Sequence, residues 1–116
     1  MNKIIEELIN KGCEMEATRN RFMGDDDFYV DCLKQMLEDE GFENLGIALK
    51  QHQIKEAFEY SHMLKGVVSN LGITSLFNIL VEIVEPLRMG NDIDLQDEYQ
   101  RLLKERDTYI QIAFEQ

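Results

Sequence analysis

Apolar residues recur three and four positions apart along almost the whole chain, and no stretch alternates apolar with polar residues for long. That spacing is the one an α-helix needs to bury a single stripe, so the chain reads as all-α, with glycines and a proline marking where helices stop. A short first helix is expected over about residues 14–21. Gly24 followed by Asp25-Asp26-Asp27 gives a break and an acidic first turn for the next helix, which carries Phe28, Leu33, Met36 and Leu37. Gly41 interrupts the stripe, which resumes at Phe42, Leu45, Ala48 and Leu49, so residues 25–51 read as either one bent helix or two abutting ones, with one disturbed helix favoured.

The stretch of about 53–71 forms a further long helix, closed by Gly72 in a left-handed conformation. Thr74 or Ser75 then caps a helix running through Leu76, Leu80, Ile83 and Leu87, and Pro86 should kink it or end it early by removing the backbone donor to residue 82. Gly90-Asn91-Asp92 makes a turn. The last helix, about 94–115, sets Leu95, Tyr99, Leu102, Arg106, Tyr109 and Ala113 on one side. Four long amphipathic helices joined by short turns suggest an up-and-down four-helix bundle with a short extra N-terminal helix, one domain over residues 1–116.

Composition narrows the function classes. A chain of 116 residues that is 44% hydrophobic can bury one modest core without disulfides or metal. Its net charge of −11 repels phosphate backbones and anionic membrane surfaces, so neither nucleic acid nor a membrane is an expected partner, and self-repulsion favours a monomer. Nothing approaches a membrane-spanning apolar run, and the first residues do not resemble a secretory leader, so a cytoplasmic protein is expected. Cys13 and Cys32 fit reduced thiols, and with only His52 and His62 to join them, on separate stretches, no zinc site is expected.

One residue stands apart. At about 100° per residue, Ala57, Ser61, Leu64, Val68 and Leu71 fall in a narrow arc and form the core-facing stripe of the 53–71 helix. His62 lies roughly 140° away, grouped with Lys55, Phe58, Glu59, Lys65, Gly66 and Ser69, so its imidazole should be exposed. Gly66 needs a reason, because glycine inside an exposed helix costs about 1 kcal/mol relative to alanine. Helical side chains lean toward the N-terminus, so any side chain at 66 would project over the turn carrying His62, and glycine leaves the ring uncovered. Lys65 leans the same way and can bring its ammonium close to anything attached to the ring.

An imidazole is largely neutral near pH 7 and carries a nucleophilic lone pair without needing a separate base. Phosphoryl transfer rests mainly on positioning and positive charge, so an accessible nucleophile with one cation nearby can serve as the accepting side. Phe58, one turn before His62, is either a docking handle for a partner or the edge of the core. Lys55, Glu59 and Lys65 make this face less acidic than the protein as a whole, which eases the approach of an acidic partner site.

Ser61-His62-Met63-Leu64-Lys65-Gly66, followed by Asn70-Leu71-Gly72 and by Glu85-Pro86-Leu87-Arg88-Met89-Gly90, resembles the histidine-containing phosphotransfer (HPt) domain family. The likeness extends upstream to Arg21-Phe22-Met23-Gly24-Asp25-Asp26-Asp27-Phe28-Tyr29. It implies a four-helix bundle whose exposed histidine exchanges a phosphoryl group with an aspartate on a response-regulator receiver domain, as a carrier in a two-component phosphorelay and not an autonomous catalyst. On this chain His62 would be the acceptor, Lys65 the nearby cation and Gly66 the clearance position, with Phe58, Lys55, Glu59 and Ser69 as docking residues. The partners implied are a receiver domain or a hybrid histidine kinase, and the only cofactor is magnesium held by the receiver.

The chain differs from the family at Pro86, where the helix usually continues, at His52-Gln53, which replace a Gly-Asp turn, and at Met63, a position often small or hydroxylated. A bundle that binds a partner without covalent chemistry is the main alternative. A phosphatase or metal hydrolase would need a carboxylate, arginine or ligand cluster converging on His62, and none appears at helical spacing.

Overall fold

The computed structural model describes residues 2–115, and within them the secondary structure is helical, in seven helices: α1 Lys3–Asn10, α2 Glu16–Arg21, α3 Asp26–Leu37, α4 Gly41–Lys50, α5 Ile54–Asn70, α6 Thr74–Arg88 and α7 Gln96–Phe114. α4 packs on α5, α5 on α6 and α6 on α7, while α3 closes the bundle against α7 and α1 adds to that side. The expected up-and-down bundle is therefore present, with two short N-terminal helices where one was expected. α1 forms because the Asn2 carboxamide oxygen accepts from the amides of Ile4 and Ile5, and because Ile4, Ile5 and Leu8 share one buried face.

Residues 25–51 are not one helix. α3 stops at Leu37 and α4 begins at Gly41. Glu38, Asp39 and Glu40 place three acidic residues at the negative end of α3, which disfavours continuation, and the Asp39 carboxylate takes the Gly41 amide proton at 2.6 Å. On α3 the core side belongs to Tyr29, Val30, Leu33, Met36 and Leu37, whereas Phe28 is 55% exposed. The Asp25 carboxylate, not an apolar residue, governs the start of α3 by accepting from the Phe28 amide.

Two expectations for α6 are also corrected. Neither Thr74 nor Ser75 caps it: the N-cap residue is Ile73, and the Ser75 hydroxyl instead meets the Tyr109 hydroxyl at 2.6 Å. Pro86 does not end the helix, which runs on to Arg88. The donor that proline removes would have bonded residue 82, and Glu82 is exposed, so water can take its place. The helix closes through Gly90, at φ +76°, with the Asn91 amide donating back to the Pro86 carbonyl at 3.0 Å.

Both thiols are free, Cys13 buried and Cys32 half-buried. Burial pushes the Cys13 thiol up from its ordinary range, and its Sγ lies 3.6 Å from the Tyr109 hydroxyl. Tyr109 thus ties α7 to the loop between α1 and α2 and to the start of α6. Among the described residues no helix is long and apolar enough to cross a membrane.

Candidate functional site

α5 is held rigidly at the end that follows His62. Gly72, at φ +75°, turns the chain away, and its carbonyl accepts from the Glu14 amide at 2.9 Å. A Cβ at 72 would collide with the Glu14 carbonyl and the Thr18 hydroxyl, so close approach as well as backbone conformation requires glycine. The Tyr29 hydroxyl donates to the Leu71 carbonyl at 2.7 Å, and burial holds that phenol well above its usual pKa, so it remains a donor. Arg21 reaches the Asn70 carbonyl at 3.0 Å. A guanidinium, a phenol and a backbone amide thus answer the free carbonyls of residues 70–72 at the helix end.

The buried stripe of α5 is the expected one: Ala57, Ser61, Leu64, Val68 and Leu71 are all inside. Ser61 satisfies its buried hydroxyl by donating to the Ala57 carbonyl at 2.8 Å. With that face fixed, His62 is exposed on the opposite side. Lys55, Glu59, Gly66 and Ser69 are exposed too, and Lys65 is half-buried beside them. Ser69 lies two turns beyond His62, roughly 10 Å along the axis. A Cβ built at Gly66 meets nothing, so the space above the His62 turn is open.

Phe58 is half-buried, packed against the core edge, and its ring stacks on the His62 imidazole with centroids 5.3 Å apart and planes 14° from parallel. The guanidinium carbon of Arg88, from α6, sits 5.2 Å from the same ring centre. A stacked pair of this kind contributes about 0.5–1.5 kcal/mol and an exposed cation–π contact about 0.5–1 kcal/mol. Arg88 also lies 3.6 Å from Glu85, a solvent-exposed ion pair that adds little. Periodicity along α5 could not find Arg88, because the contact depends on how α6 is set against α5.

On the other flank, Met63 and Val67 are 48% and 43% exposed and follow one another by one turn. Val67 borders a cavity of about 390 Å³ between α3 and α5, lined also by Phe22, Phe28, Cys32 and Met36. His62 lines neither this cavity nor the one of about 440 Å³ between α1 and α7. Its ring is therefore open to a macromolecular partner rather than enclosed around a small substrate.

The second histidine is in different surroundings. His52 sits at φ +56° in the turn between α4 and α5. Its Nδ1 pairs with the Asp92 carboxylate at 2.9 Å, and that hydrogen bond raises its pKa above the usual histidine value. Among the described residues no group of three or more His, Cys, Asp or Glu side chains is placed to hold a metal ion. No family model, curated protein or solved structure matches the chain.

Proposed function

We propose that this chain is a phosphoryl carrier of the two-component type, in which His62 accepts a phosphoryl group from an aspartyl phosphate on a receiver domain and returns it to such an aspartate. The observation that carries the reading is the exposed imidazole on α5 with Lys65 one turn on and open space at Gly66. The unprotonated ring nitrogen attacks phosphorus as the P–O bond to the donor carboxyl breaks, and that bond's electron pair leaves on the carboxylate. The ring becomes a phosphoimidazolium while its other N–H stays in place. Lys65, one turn on, would offer the transferred dianion its counter-charge.

Nothing else in the step has to come from this chain. Magnesium and the in-line geometry belong to the receiver, which is why an open face serves better than a pocket. A cytoplasmic location, the compartment of receiver domains and their kinases, and a monomeric chain belong to the same proposal. The test is to incubate the chain with a histidine kinase and a receiver domain and follow acid-labile label. Label should appear on the parent and on His52→Gln and be absent from His62→Gln. Label surviving in His62→Gln contradicts the assignment, and a chain that binds a receiver without ever taking label is an adaptor.

A further inference from the structure

The phosphoryl reading leaves open how an exposed ring on a solvent-facing turn keeps a defined orientation. Among the described residues neither nitrogen of His62 has a hydrogen-bond partner, unlike His52, whose Nδ1 is held by Asp92. What touches the imidazole is the face of Phe58, nearly parallel at 14°, and what touches Phe58 is Arg88 from the neighbouring helix. Phe58 in turn has a fixed seat, since it packs at the core edge between α5 and α6. The three groups form a chain of contacts from a rigid helix pair to an otherwise unrestrained side chain.

We propose that Phe58 and Arg88 are positioning residues that fix the plane of the His62 ring, so that one ring nitrogen alone meets the phosphoryl donor. The proposal rests on the reading of His62 as the acceptor and adds to it. Stacking leaves the ring edge free, where the nitrogen lone pairs lie, while disfavouring rotations about the side chain that would lift the ring off Phe58. A stack of this strength favours the held orientation by about two- to twelvefold over the released ones. Arg88 acts through Phe58, its charge drawn to the π system at 5.2 Å from the ring centre.

Phosphoramidate, a small dianion-bearing donor, reads the orientation directly. The imidazole lone pair forms the new N–P bond, the donor's P–N bond breaks, and ammonia leaves with the electron pair. The experiment uses the full chain carrying His52→Gln, in which His62 is the only histidine. Phosphorus–proton NMR then reports which ring nitrogen is labelled, and proton NMR of the unlabelled chain reports the ring current of Phe58 on the His62 ring protons.

We expect a single phosphohistidine isomer and upfield-shifted ring protons. Phe58→Leu should yield both isomers and return the ring protons toward free-histidine positions, whereas Phe58→Tyr should retain both signatures. Arg88→Gln should give a partial mixture and Arg88→Lys a smaller one, and urea unfolding confirms that each variant is folded. A single isomer and unmoved protons in Phe58→Leu overturn the proposal while leaving the acceptor assignment intact. Both isomers in the parent also overturn it. No label on His62 in the parent overturns the acceptor assignment and this proposal together, and the ring-current result still separates a stacked ring from a free one.

Discussion

Gly66 allows stability and function to be moved in opposite directions by one substitution. It lies inside α5, at an ordinary helical φ, and a Cβ added there meets no atom within 4 Å. Gly66→Ala should therefore keep the full helix-propensity gain of about 1 kcal/mol, unreduced by any clash. For a domain of this size that corresponds to a rise of about 4 °C in melting temperature. Gly66→Gln should gain nearly as much, since glutamine is also a good helix former, but its side chain leans back over the His62 turn. If displacing it on partner docking costs about 1–3 kcal/mol, transfer falls about five- to 150-fold. Urea unfolding and the rate of acid-labile labelling by a phosphorylated receiver domain measure the two quantities. A destabilised Gly66→Gln, or one that takes label at the parental rate, would refute the idea that glycine is there for clearance.

Three further outcomes follow from the fold that holds the site. Gly46→Ala sets a methyl against the ring and hydroxyl of Tyr99, whose hydroxyl donates to the Phe42 carbonyl at 2.8 Å, so unfolding free energy should fall by about 1–3 kcal/mol in urea titration. Tyr29→Phe removes the buried bond to the Leu71 carbonyl and should cost about 1 kcal/mol by the same assay. Because Asp92 raises the pKa of His52 in the folded chain, their pairing contributes stability that is full below the ordinary histidine value and is lost as pH rises through the raised one. The difference in urea midpoint between the parent and His52→Gln should accordingly be largest in mild acid and settle to a constant on the alkaline side, and Asp92→Asn should remove most of that pH dependence, leaving the smaller share of Asp94.

Much of the architecture was legible because helical periodicity reports which face is buried. The α5 stripe from Ala57 to Leu71 and the exposure of His62 both follow from that one regularity. The stops at Gly24, Gly72 and Gly90 were equally visible, with the left-handed conformation expected at Gly72, since glycine adopts it without strain. Misreadings arose where local chemistry competes with periodicity. The stripe resumes beyond Gly41, which favoured one disturbed helix over two, yet the acidic cluster and the Asp39 side chain break the helix there. Asn2 and the Ile4, Ile5 and Leu8 pattern announced α1, but they lie in a segment short enough to pass for a tail. Phe28 and Tyr29 exchange roles because the register is set by Asp25 and by the Tyr29 bond to Leu71. The stack of Phe58 on His62 is a same-helix contact one turn apart, but Arg88 at the candidate site required the setting of α6 on α5, which no single-helix pattern encodes.

The central claim is that His62 receives a phosphoryl group, and its most direct measurement is site mapping on the intact chain after brief exposure to a phosphorylated receiver domain, by tandem mass spectrometry under neutral conditions that preserve the N–P bond. His62 should be phosphorylated and His52 unmodified, with label leaving His62 when unphosphorylated receiver is added in excess. Modification at His52, at a carboxylate or at a hydroxyl, with His62 bare, would contradict that claim.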